Sequence, residues 1–547
     1  MLQKKCSVCN DSFTLTDNDF ALYQKFGFAP SDLCFVCDQR RRLCFRNERN
    51  LYSRKCDATG ETIISIFSPD KPYKVYKSDF WHSDKWDALE YGQNFDPNRP
   101  FFEQMKELQL KVPRLALMNI NPVNSDYCNF SYGNKNCYLV FGGDLNQDTM
   151  FGTLCMKNVN VLDADYSNYN ELSSMLGDTL NSYSCHFAFD SKNCSNCAYI
   201  SDCVGCNECI LCANLVNQSY MILNTRYSKD DYLKRKSELL SGSYFQHCEN
   251  VRDFQKLLTK RVVKYAHIVN SEECSGDYIK NSKNCTLCFD VAESQDLSNV
   301  IFANIAKDCF RCSLLGDNAE LSYNSISNFN SYYDIGSFFV IDSSNIEYCD
   351  FILNSQHLFG CVGLKRKKYS ILNKSYSEAD YKVLRARIID HMKRAGEFGH
   401  FLSQDLSFFG YNETTAHDYF PLSREEALRQ GFKWMDEIEK KPVAQKYVIP
   451  DNISDVSDAI LQEVLQCSEC LKNFKIIPQE LRFYHLIQLP VPRICPECRH
   501  SLRKSFRNPR YSWKRKCQKC NNDIETTYAP ERSEHVYCEK CYLETIY

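Results

Sequence analysis

The chain has 547 residues, with 66 basic and 69 acidic side chains, a formal net charge of −3 and 32 cysteines. That length gives room for several domains and excludes a small scaffold that needs disulfides to fold, and the near-neutral total excludes a polycationic or acidic disordered chain. No apolar run approaches the ~18 residues of a membrane helix, and no apolar run precedes Cys6, so neither a spanning segment nor a secretory leader is expected.

The paired cysteines are therefore expected to be metal ligands in a reducing cytoplasm. Near the start the chain reads Cys6-x2-Cys9, then Cys34-x2-Cys37, then Phe45-Arg46-Asn47-x-Arg49 and Lys55-Cys56. Near the end it reads Cys467-x2-Cys470, Cys495-x2-Cys498, Phe506-Arg507-Asn508-x-Arg510 and Lys516-Cys517, with every spacing repeated at an offset of 461. Four thiolates at such spacing satisfy tetrahedral zinc, with the first pair in a knuckle and the second at the start of a helix. A further set, Cys517, Cys520, Cys538 and Cys541, makes a third site. Its N-terminal counterparts are Cys56, Thr59, Lys77 and Phe80, so one thiolate of four remains and that half is expected to fold without metal. Tyr73, Tyr76, Phe80, Trp81 and Trp86 offer apolar burial in its place.

Residues 1–95 are thus read as a zinc module with a degenerate ribbon, and residues 96–123 as a connector with a helix over Phe101–Lys111. From 124 the composition turns to Asn, Ser, Asp, Tyr and Cys around short apolar runs, and Lys-Asn-Cys-like pieces recur at 135, 157, 192, 283 and 307, many at steps of 22–24 positions. Such periods point to a parallel β-solenoid. A larger repeat, Tyr220 to Tyr232 against Tyr369 to Tyr381 at an offset of 149, divides it into halves within 124–249 and 250–395. Each half ends in a helix opened by Ser228-x-x-Asp231 or Ser377-x-x-Asp380, which resemble capping boxes, and a helix near 250–267 joins them. These helices are expected to cover open solenoid ends. Residues 396–460 form a second connector, with a helix from Ser423, an end at Lys440-Lys441-Pro442, and an amphipathic helix over Val456–Leu465; 461–547 is the terminal zinc module. The fold class expected is mainly β and multidomain: a central two-part parallel β-solenoid flanked by treble-clef and zinc-ribbon modules.

The basic surplus sits at the two ends. Positions 1–56 hold ten basic and six acidic side chains, positions 467–547 hold 15 and nine, and positions 499–519 hold nine basic side chains and no acid. Arg42, Arg46, Arg49, Arg503, Arg507 and Arg510 lie beside Phe506, Tyr511 and Trp513 or their counterparts, a pattern suited to phosphate and to stacked bases. Two other readings stand beside it: offset of the negative charge of a four-thiolate zinc site, and a protein-binding surface. The run Cys194-x2-Cys197 to Cys203-x2-Cys206-x2-Cys209-x2-Cys212 fits either an inward ladder of small thiols or an iron–sulfur or extra zinc site. His186, His247, His267, His357 and His391 stand in no recognised motif, and Asp163, Asp165 and Asp202 are acids that stacking could bring together.

Phe45-Arg46-Asn47-Glu48-Arg49-Asn50, Ser68-Pro69-Asp70-Lys71-Pro72-Tyr73, Ser282-Lys283-Asn284-Cys285, Phe409-Gly410-Tyr411-Asn412-Glu413 and Tyr528-Ala529-Pro530-Glu531 resemble a group of large bacterial zinc-ribbon proteins, and the end modules resemble the treble-clef and zinc-ribbon superfamily. The resemblance implies zinc and attaches no activity. The expected role is a non-enzymatic zinc scaffold whose basic ends bind nucleic acid, RNA ahead of DNA, or protein; the alternative is an enzyme or ligand-binding protein acting through the β surface.

Overall fold

The computed structural model describes residues 2–436 and 442–546. The expected connector end at Lys440-Lys441 lies outside the described residues. The chain forms two compact units, and they are not its linear segments. Unit 1 combines Met1–Leu117 with Ala266–Asp436, and unit 2 combines Met118–Tyr265 with Glu437–Tyr547. Each unit therefore joins one terminal module to one half of the β-rich centre, and the pairing is crossed: the N-terminal module belongs with the second half. Among the described residues no helix is long and apolar enough to cross a membrane.

In unit 2 the strands from Tyr138–Phe141 to Ser219–Ile222 pair in parallel, each with its successor at a constant offset: Met150 with Leu162, Leu162 with Ser174, Ser174 with His186. Bridges Leu180 to Lys192, Lys192 to Val204 and Val204 to Val216 form another wall at the same step. One such step is one rung of the stack, and the repeat expected at 22–24 is two rungs.

The rung has a finer period of three. Phe151, Leu154, Lys157, Asn160, Asp163 and Tyr166 all have φ between 47° and 60°, in the left-handed region. A left-handed residue turns the chain, so four triplets close one rung. The residue after a turn points inward, and at many positions it is small: Ser125, Asn134, Cys137, Asn146, Thr149, Cys155 and Asn158 are all at most 3% exposed. Left-handed backbone costs roughly 1–2 kcal/mol for a non-glycine residue, and inter-rung hydrogen bonds at every turn oppose that cost.

Unit 1 repeats this backbone and closes its pairing. Lys283–Ala292 pairs with both Gln295–Ser298 and Ile301–Asn304, and the path through Ala306–Lys307, Ala319–Tyr323, Ile326–Ile335 and Ser313–Leu315 returns to the start. Seven parallel strands make a closed, narrow barrel, because two long strands, Lys283–Ala292 and Ile326–Ile335, each span two walls. The two-part solenoid expected from the sequence is corrected to this closed barrel in unit 1 and the parallel stack of short rungs in unit 2.

The helices differ in detail from expectation. Ser228 and Ser377 cap Lys229–Leu239 and Glu378–Ala395, accepting from Asp231 N and Asp380 N. The shorter Asp side chains turn onto the Ser hydroxyls at 2.7 Å, so the reciprocal half of the box is not made. The joining helix is Tyr244–Leu258, and it covers an outer face of the unit 2 stack rather than its end, with Phe254 packed beside Phe189 and Tyr199. Only a short 3-10 turn, Asp458–Gln462, forms where the amphipathic helix was expected.

Candidate metal centres

Each zinc frame is built from a hairpin and a helix start. Leu2–Lys5 pairs with Ser12–Leu15, and the turn between them places Cys6 and Cys9 in a knuckle closed by Asn10 N–H onto Cys6 O at 3.0 Å, with Asn10 left-handed at φ 64°. Cys34 is the N-cap of Phe35–Leu43, which brings Cys37 onto its first turn. The same construction recurs with Leu471 and Cys495, the latter capping Pro496–Phe506, and in the last ribbon with Asn521.

Three groups result: Cys6, Cys9, Cys34 and Cys37; Cys467, Cys470, Cys495 and Cys498; Cys517, Cys520, Cys538 and Cys541. Within each, all four sulfurs lie within 4.8 Å of one another. Cys9–Cys34, Cys467–Cys498, Cys470–Cys495 and Cys520–Cys538 are 3.7 Å apart. A tetrahedron of Zn–S bonds of about 2.3 Å has edges of about 3.8 Å, so the donors fit zinc. All four positions are protein thiols, which is the closed arrangement of a structural site. Burial pushes the Cys467 and Cys517 thiols up, but the N–H groups of Cys470 and Cys495, and of Cys520 and Cys538, outweigh it and hold both at about 6. Those amides favour the thiolate that a metal needs.

The degenerate ribbon keeps the frame. Tyr52–Lys55 pairs with Thr62–Ser65 in the register of Trp513–Lys516 with Asp523–Thr526. Lys77 N–H donates to Cys56 Sγ at 3.4 Å, as Cys538 N–H does to Cys517 Sγ at 3.2 Å. Gly60, left-handed at φ 73°, closes its knuckle as Asn521 does in the four-thiol copy. At the other ligand positions Lys77 Nζ meets Glu61 at 2.8 Å and Phe80 lies edge-on to Tyr76 at 5.1 Å. Trp81 is 1% exposed and packs on Trp86 and Phe351.

The arginines expected to face phosphate lie instead against their own unit. In unit 2 the helix Pro496–Phe506 lies on the strands Val159–Asp165 and Glu171–Gly177. Arg499 reaches Asp163 at 2.7 Å and Glu480 at 3.0 Å; Arg503 reaches Asp163 at 2.7 Å and Asp165 at 3.0 Å. His500 Nδ1 lies 2.9 Å from Asp165. Arg507 forks onto Asp178 at 2.6 and 3.0 Å and stacks on Tyr166 at 3.5 Å, and Arg510 donates to the Tyr166 hydroxyl at 2.6 Å. In unit 1 Arg42 pairs with Asp38 and donates to Asn324 Oδ1 at 3.0 Å, and Arg46 meets Glu48 and Ser327, each at 2.6 Å. Arg49 is half-buried. A guanidinium enclosed by carboxylates in this way is not presented to a nucleic-acid backbone. In unit 2 the counter-charge comes from the stacked strands, through Asp163, Asp165 and Asp178; in unit 1 it comes from Asp38 and Glu48 of the terminal module itself.

One pair is inverted between the units. Arg499 of the helix meets Asp163 of the strand in unit 2. Shifted by 461, the helix position is Asp38, and in unit 1 it meets Arg311, in the bend before the strand Ser313–Leu315, at 2.5 Å. The ion pair is kept and its polarity reversed. Beside it each unit has a cavity: about 260 Å³ in unit 2, lined among others by Asp163, Met175, Arg493 and Arg499, and about 240 Å³ in unit 1, lined by Asp32, Asp38, Arg311 and Tyr323. Asp32 and Asp38 are the 461-shifted counterparts of Arg493 and Arg499.

The Cys194–Cys212 run lies inside the unit 2 stack. Its thiols donate to carbonyls on their own rung and on the next: Cys194 to Lys192 O and Cys203 O at 3.4 and 3.5 Å, Cys197 to Ser195 O and Cys206 O at 3.2 and 3.6 Å. Ser125 and Thr179 make the same two bonds with hydroxyls. Among the described residues no three of these sulfurs gather closely enough to share one metal ion, and their carbonyl bonds make the run a ladder. Of the lone histidines, His186 Nδ1 lies 3.1 Å from Ser174 Oγ and His247 Nδ1 lies 2.8 Å from the Tyr199 hydroxyl. Burial holds both rings at about 4.

No protein-family profile matches the chain, and no curated protein matches it.

Proposed function

We propose that the chain is a non-enzymatic, zinc-dependent scaffold for a reducing compartment, in which each terminal zinc module clamps its own β stack. The observation that carries this is the burial of Arg42, Arg46, Arg503 and Arg507 in polar contacts within their own unit, together with three closed four-thiol sites. Zinc fixes the helix start, and the helix delivers the arginines. Hydrogen exchange on the full chain tests it. Removing zinc with a chelator is expected to raise exchange in Pro496–Phe506 and in the strand Val159–Asp165 together. Unchanged exchange of that strand would sink the proposal.

A second reading keeps nucleic acid, RNA ahead of DNA, as partner, and moves it to the last ribbon. Tyr511, Lys514, Lys516 and Lys519 line that ribbon, with Trp513 half-buried beside Tyr511 at 4.8 Å. Backbone contacts by lysines weaken as salt rises, and each lost contact lowers the salt slope by about one. Salt-dependent RNA binding by the full chain, with a slope reduced in Lys514→Ala/Lys516→Ala, supports this reading; no binding at low salt refutes it.

A further inference from the structure

The interior of unit 1 contains a polar cluster that its own chain leaves unsatisfied. Ser322, Asn328, Ser331 and Asp334 occupy inward positions on two successive rungs and are 0–2% exposed. Ser322 and Asp334 are direct register partners on neighbouring strands. Among the described residues, Ser322 Oγ, both side-chain polar atoms of Asn328, Ser331 Oγ and Asp334 Oδ2 have no hydrogen-bond partner, and Asp334 Oδ1 has Ser325 Oγ at 3.4 Å.

An inward asparagine in this architecture is ordinarily satisfied. In unit 2 Asn146 donates to Asn134 Oδ1 at 3.2 Å and to Cys155 O at 2.9 Å, and its own Oδ1 accepts from Asn158 N at 3.1 Å. Asn328 has Val340 as its register partner on the next rung, so no such ladder forms. The cluster also follows a local lengthening of the rung. Ile301 pairs with Ser313, the ordinary step, but Ala306 pairs with Ala319, one position further on, which inserts one residue into the turn before the cluster. Burial pushes the Asp334 carboxyl up to about 7, with Ser337 and Ser325 opposing and Glu347 adding to the shift; no cationic side chain is among these influences.

A buried carboxylate without a cationic neighbour leaves several kcal/mol uncompensated unless a proton or an ion joins it. All the polar side-chain atoms of the cluster except Asn328 Nδ2 are oxygens, the donors of hard cations. A single carboxylate balances a single positive charge, whereas a divalent ion would leave net charge in the core. We propose that this buried cluster binds a monovalent metal cation, Na⁺ or K⁺, held by the Asp334 carboxylate, Asn328 Oδ1 and the hydroxyl oxygens of Ser322 and Ser331.

The test is hydrogen exchange of the zinc-loaded full chain at constant ionic strength in choline chloride, NaCl or KCl, with CaCl₂ in choline chloride as a further arm. At least tenfold slower exchange of Ile326–Ile335 in NaCl or KCl than in choline chloride supports the site, and the preferred salt identifies the ion. Glu171–Gly177 of unit 2 should not respond. Asp334→Asn should erase the difference. Should that variant not fold, Asn328→Val keeps the carboxylate and should raise the half-saturating salt concentration at least tenfold. Equal exchange in all three salts, a wild-type response in the variants, or a response only to CaCl₂ would overturn the proposal; the first result would leave Asp334 protonated beside water.

Discussion

Asp163→Asn isolates the clamp in unit 2. The change keeps the shape of the side chain and removes the charge shared by Arg499 and Arg503, both at most 3% exposed. Breaking a buried pair costs about 3–5 kcal/mol because a charge is left uncompensated. Glu480 still faces Arg499 and Asp165 still faces Arg503, at 3.0 Å each, so the lower end, about 3 kcal/mol, is expected. At about 1.4 kcal/mol per decade, protection of Pro496–Phe506 should fall roughly a hundredfold. Peptide-resolved hydrogen exchange reads this directly, and Phe35–Leu43 of unit 1 serves as the internal control. Adding Arg499→Met to the same chain leaves the buried Glu480 without its cation and should not restore protection. A loss of less than threefold in Asp163→Asn, or full recovery in the double variant, would refute the idea that these charges hold the helix down.

Element analysis of the purified chain should find three zinc ions and no iron, and Cys197→Ser should leave that count unchanged because the hydroxyl can make the same two carbonyl bonds. Gly152→Ala should destabilise unit 2 by about 1–3 kcal/mol, since a Cβ there would meet Cys155 Sγ at 2.6 Å in a filled interior; a thermal melt of the zinc-loaded chain checks it. His186 and His247 are held at about 4 by burial, below the unfolded value of about 6.5, so the unfolded chain binds protons first as pH falls. Their contribution is complete above about pH 6.5 and is lost between about 6.5 and 4, by about 3 kcal/mol each; urea midpoints at pH 7 and pH 5 should show the loss, and His186→Gln should make it shallower.

The zinc frames were legible because their ligands are local: four cysteines, two fixed spacings, and a knuckle whose turn closes on itself. The degenerate ribbon was legible only against its complete copy. The stack was legible in kind but not in step. The pieces at Lys283 and Lys307 lie two rungs apart, through Gln295, so the visible repeat doubled the true one. The period of three was present in Ser125, Cys128, Ser131, Asn134, Cys137 and Val140, yet the outward residues between them vary enough to mask it. The arginines carried the opposite lesson. A basic run without an acid looks like a phosphate surface when its carboxylates, Asp163, Asp165 and Asp178, lie in a distant segment of the chain. These acidic partners came from the middle whose negative charge composition already recorded, but only the crossed pairing of segments brings them together.

That crossing sets an order of events during synthesis. The ribosome completes Met1–Leu117 before any of Ala266–Asp436 exists. At about 5–20 residues per second, the intervening stretch of about 150 residues takes roughly 7–30 s, and for that time Arg42 lacks Asn324, Arg46 lacks Ser327, and Asp38 lacks Arg311. Zinc capture by Cys6, Cys9, Cys34 and Cys37 needs none of the later chain, so it can hold the nascent module in shape while its platform is made. The second unit waits in the reverse sense: its stacked strands emerge early, and the helix that closes over Asp163 follows more than 300 residues later. One unit therefore waits for its strands and the other for its helix.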